Sequence, residues 1–94
     1  MNAQSDQLHS LIEDMSQRLP ELALPPATDW DMYGVLREAS REDCSNARSC
    51  RSAWAALYCV RNSLTLAENA ELAKDFLGAI DRQLPELRAS AGQA

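Results

Sequence analysis

The sequence predicts an all-α fold, a small four-helix domain with a long antiparallel hairpin formed by its third and fourth helices. Three observations carry this. Apolar residues recur at the i, i+3, i+4, i+7 spacing of a helix, no useful stretch alternates like a strand, and only three glycines punctuate 94 residues. A chain of this length forms one domain that buries roughly 60–65% of its unfolded surface, enough for a modest core without a metal or disulfide staple.

The first helix is expected over 6–19, with Ser5 as N-cap, because Leu8, Leu11, Ile12, Met15 and Leu19 share one face. Pro20 and the pair Pro25-Pro26 then make 20–28 an extended linker, since residues before proline avoid the α region. A second, shorter helix is expected over 29–39. Thr28 and Asp31 resemble a capping box, and the inward stripe is Met32, Val35, Leu36 and Ala39.

Ser40 to Asp43 repeat the capping pattern, so the third helix spans 41–62, or begins only near Ala47 after a short loop. Cys50, Ala53, Leu57, Val60 and Leu64 face inward, flanked by Trp54. Thr65 and Glu68 form a capping box that opens the fourth helix, 66–84, with Ala73, Phe76, Leu77, Ile80 and Leu84 inward and Pro85 as its stop. The short connection between them dictates an antiparallel hairpin. The tail 88–94 is small and polar and is expected to fray. One internal similarity stands out: Arg18-Leu19-Pro20-Glu21-Leu22 resembles Gln83-Leu84-Pro85-Glu86-Leu87 at an offset of 65. A shared way of finishing an amphipathic helix explains it better than a repeat.

Composition narrows function. Hydrophobic residues at 46% and charged residues at 24% are globular values that argue against disorder. No apolar run reaches the ~20 residues of a membrane span and the N-terminus lacks the pattern of a secretory signal, so a cytoplasmic location and no membrane partner are expected. The net charge of −5 is uneven. Residues 1–33 carry six acids and one base, residues 34–94 eight of each. Arg41, Arg48, Arg51 and Arg61 make the middle locally basic, but Glu42 and Asp43 dilute it. A nucleic-acid-binding regulator is therefore the weakest of three functional readings, because phosphate neutralisation dominates such affinity.

Catalytic features are scarce. His9 is the single histidine, placed at the edge of a core stripe with no nucleophile spaced to suit it, and no phosphate loop, nucleophile elbow or paired-histidine zinc motif is present. The expectation is a protein that is not an enzyme and takes no cofactor. Cys44, Cys50 and Cys59 carry the alternative reading, a metal or redox module. Their C-x5-C and C-x8-C spacings match no zinc pattern, and on one helix the rise alone separates them by ~9 and ~13 Å, beyond the ~7 Å reach of a disulfide. A Cys44–Cys50 bridge requires 44–49 to be loop. Otherwise Cys50 is a small core residue and the other two are incidental.

The leading reading rests on aromatics. Trp30 lies nearly opposite the inward stripe of its helix and Tyr33 to its side, beside Asp29 and Asp31, and Tyr58 sits off the stripe of the third helix toward Arg51. Aromatics and arginine are enriched at interface anchors. Trp30, Tyr33, Asp29, Asp31 and Tyr58 are thus the candidate partner-binding residues of a non-enzymatic interaction module of adaptor, chaperone, immunity or inhibitor type. A bundle this small also completes its core readily as a homodimer.

Overall fold

The structure, a computed structural model, describes residues 3–92. Their order is α1 Ala3–Arg18, a 3-10 turn Leu19–Leu22, α2 Pro26–Ala39, α3 Ala47–Leu64 and α4 Ala70–Ala91, with no strand among the described residues. The fold is the all-α, four-helix arrangement expected, with α3 and α4 packed as a close hairpin. The molecule measures 38 × 21 × 21 Å.

The inward stripes form one core. Leu8, Ile12 and Met15 of α1, Met32, Leu36 and Ala39 of α2, Cys50, Ala53, Leu57, Val60 and Leu64 of α3, and Ala73, Phe76 and Ile80 of α4 are all buried and contiguous. Burying each large aliphatic side chain contributes about 1.5–3 kcal/mol against the cost of ordering the chain. Val35, Leu77 and Leu84, placed inward from periodicity, are only partly buried at the margins.

Most departures from expectation lie at helix ends. α1 begins at Ala3, so Ser5 is no N-cap and is buried in the first turn. The linker 20–28 is not extended. Leu19–Leu22 forms a 3-10 turn with Leu19 and Leu22 in the core, closed by Ala23 in the left-handed region at φ 54°. Three bonds clamp it to the start of α4. The N–H of Glu68 donates to Ala23 O at 3.2 Å, that of Asn69 to Leu22 O at 3.2 Å, and Asn69 Nδ2 to Glu21 O at 2.9 Å.

Pro26 occupies the first position of α2, where its missing N–H costs nothing. The helix therefore starts three residues before Asp29 and Thr28 caps nothing. α3 starts at Ala47, not Arg41, because Asn46 caps it by accepting the Ser49 N–H at 2.9 Å. Asn69 likewise caps α4, accepting the Leu72 N–H at 3.3 Å, whereas Thr65 turns its hydroxyl to Asn62 O at 2.7 Å and forms no capping box. Pro85 does not stop α4, and the expected fraying fails at least through Ala91, for α4 runs on with Leu87 fully buried. Residues 93 and 94 of the tail lie outside the described residues.

Candidate functional site

The aromatic residues separate into two groups. On α2, Met32, Leu36 and Ala39 turn inward, and at 100° per residue Trp30 falls on the far side of the helix. Trp30 is 77% exposed and Tyr33 56% exposed. Asp31 is exposed on the flank away from Tyr33, while Asp29 is half-buried in the first turn, where a carboxylate favours the helix dipole. Gly34 shares this outer face, one turn beyond Trp30, and a Cβ built on it would meet nothing within 4 Å. Neither a turn nor a tight packing contact requires glycine there.

Tyr58 does not join that face. It lies on α3 along the seam with α4, its ring stacked on Trp54 with centroids 5.1 Å apart and planes 16° from parallel. Trp54 is half-buried against the core, and Tyr58 is 44% exposed. Together they floor a groove whose α4 side holds Leu84, Pro85 and Arg88. Arg61 Nε donates to Asp81 Oδ1 at 2.8 Å and closes one end; at the other, Trp54 and Arg88 continue into an adjoining hollow lined by Arg51. Arg88 and Pro85 were missed in the sequence. Only the antiparallel register of α3 on α4 brings them opposite Arg51 and Tyr58, and no local pattern encodes that register.

The acidic first third forms a different concavity. Asp6, Glu13 and Asp14 of α1 face Arg82 and Glu86 of α4 across an open groove on the opposite flank of α4. Gln83 Nε2 bridges it by donating to Gln7 O at 3.1 Å.

The cysteines do not converge. Cys44 and Cys50 are buried and Cys59 is exposed on the outer side of α3. Only residues 44–46 of the 44–49 stretch lie outside the helix, and although Cys50 Sγ donates to Cys44 O at 3.7 Å, no disulfide joins the two. Burial first, then the neighbouring Cys50 thiol, raises the Cys44 thiol well above the ordinary value, so it is protonated and a poor nucleophile at neutral pH. The loop that holds Cys44 is organised for structure. Ser49 Oγ accepts the N–H groups of Asp43 and Cys44 at 3.1 and 3.0 Å, and the Cys44 backbone takes a left-handed φ of 55°. Asp43, accepting from the Ser45 N–H at 3.0 Å, is held below the usual carboxylate range. Among the described residues no three His, Cys, Asp or Glu side chains are grouped to hold a metal.

His9 is half-buried and structural: its Nε2–H donates to Glu42 O at 2.6 Å, tying α1 to the α2–α3 loop. The remaining arginines of the basic stretch disperse. Arg41 pairs with Glu38 at 3.5 Å, and Arg48 is exposed at the start of α3. Among the described residues no helix is long and apolar enough to cross a membrane. Comparison of the chain with family models, curated proteins and solved structures gave no match.

Proposed function

We propose that this chain is a non-enzymatic interaction module, of adaptor, chaperone, immunity or inhibitor type, that binds a protein partner through the outer face of α2. The observation that carries the reading is the exposure of Trp30 at 77% and Tyr33 at 56% on one side of a short helix. Leaving two large aromatic surfaces in water forgoes the ~25 cal/mol per Å² that burial supplies, and a partner is what would recover it. The acidic balance of the first third, with Asp29 and Asp31 flanking the aromatic face on its two sides, favours a partner whose matching surface is basic. Gly34 leaves the helix backbone open to close approach on the same face.

The test is capture from the lysate of the native organism, with Trp30→Ala combined with Tyr33→Ala as control. The double variant should keep the helical circular dichroism of the parent and lose the partner. A partner retained by a folded double variant removes this surface from the reading, and a variant that loses its helical signal assigns the pair to the fold instead.

A further inference from the structure

The α3–α4 seam carries a second surface, whose basis is independent of the α2 face. Its floor is the Trp54–Tyr58 stack, two near-parallel rings 5.1 Å apart, one half-buried and one 44% exposed. Pro85 presents a rigid apolar ring to the same groove. As an interior helix proline it has no N–H, which leaves the Asp81 carbonyl without its usual donor one turn earlier.

Charge is what selects the occupant. Arg61 is spent on Asp81 at 2.8 Å, but the guanidiniums of Arg51 and Arg88 make no ion pair among the described residues. Two guanidiniums without an ion pair among the described residues therefore line the hollow that adjoins the aromatic groove at Trp54, in a protein whose net charge is −5. We infer that this groove binds an acidic peptide segment of another protein. An apolar side chain of the segment lies on the Trp54–Tyr58 stack and Pro85, and neighbouring carboxylates pair with Arg51 and Arg88. Guanidinium matches carboxylate through paired N–H groups, which makes arginine the suitable cation for such a contact.

Scale sets the spacing. Seven residues of α3 separate Arg51 from Tyr58, a rise of about 10 Å at ~1.5 Å per residue. An extended segment at ~3.3 Å per residue covers that distance in about three residues. The carboxylate is thus expected two to four positions from the apolar anchor. A nucleic-acid strand would also find rings and arginines here, but the acidic whole opposes a polyanion far more than a short segment with two or three carboxylates.

The experiment is selection from a random peptide display library on the intact chain, followed by fluorescence polarisation with the synthetic consensus peptide. The selected peptides should carry Asp or Glu two to four positions from an apolar residue. Their affinity should fall roughly tenfold for each arginine reversed in Arg51→Glu and Arg88→Glu, as loss of a charge-assisted pair implies. Arg51→Gln with Arg88→Gln gives the same loss without like-charge repulsion, should the reversed variant fold poorly. Trp30→Ala with Tyr33→Ala should leave the peptide affinity unchanged, which separates this surface from that of α2. A selection that yields no acidic peptide, or peptides whose binding survives both arginine variants, overturns the inference. So does a ten-nucleotide oligothymidylate that binds through these arginines and displaces the peptide. Sedimentation that finds the parent dimeric and the arginine variants monomeric gives the groove to a second copy, and overturns it equally.

Discussion

The two aromatic pairs of this molecule differ in what the fold already does with them. Trp54 and Tyr58 stack on each other at a helix seam, and Trp54 rests against the core, so part of their apolar surface is covered by the fold itself. Trp30 and Tyr33 have one helix beneath them and are mostly uncovered. Each pair also stands beside a residue that a helix interior ordinarily avoids, Pro85 in α4 for the first and Gly34 in α2 for the second. An aromatic pair can therefore be partly structural or wholly outward, and its stability cost on truncation tells the two apart.

The largest expected effect separates them directly. Trp54→Ala removes a half-buried ring and its stacking partner's support, and should destabilise the domain by about 2 kcal/mol, below the 3–5 kcal/mol of a fully buried tryptophan. Trp30→Ala should change stability by no more than about 0.5 kcal/mol, as expected of a surface substitution. Urea unfolding followed by circular dichroism measures both. Equal losses would abolish the distinction and place Trp30 in the fold.

The next effect is a gain. An interior proline costs a helix about 3 kcal/mol, and restoring an N–H with Pro85→Ala returns the donor for Asp81 O. The unfolded chain regains flexibility worth about 0.4–1 kcal/mol, so the net stabilisation should be about 2 kcal/mol. A variant less stable than the parent would mean that the proline ring itself holds the seam, and would make this flank of α4 more structural than its exposure suggests.

Pro85 also marks where local sequence stops being informative. Leu19-Pro20-Glu21-Leu22 and Leu84-Pro85-Glu86-Leu87 are the same tetrapeptide pattern, yet the first ends a helix in a 3-10 turn and the second continues as α-helix. In both, the last leucine is fully buried. After Pro20 the chain must turn so that Leu22 meets the core and the start of α4. After Pro85, Leu87 reaches the core by staying helical, and tertiary packing outweighs the proline. The helical stripes were legible because 3.6-residue periodicity is written into each segment. The cap sites were misread where two candidates compete: Asn69 displaces Thr65 because its side chain also reaches Glu21 O, a contact 48 residues distant in sequence. For the same reason Trp30 and Tyr33 could be placed on an outer face from sequence, whereas the Arg51 and Arg88 pairing across the seam could not.

The smallest effect bears on the α2 face. Gly34 sits in the interior of α2, and an added Cβ meets no atom within 4 Å, so Gly34→Ala should stabilise the domain by about 0.5–1 kcal/mol through reduced unfolded-state freedom and better helix propensity. A stabilising alanine is available at no steric cost. If a partner approaches the bare backbone between Trp30 and Arg37, the new methyl group stands in its way, and the more stable variant should capture that partner less well, a trade of function for stability. Capture undiminished by Gly34→Ala but lost in Trp30→Ala with Tyr33→Ala would confine the contact to the rings, with the partner leaning toward the Tyr33 side of α2.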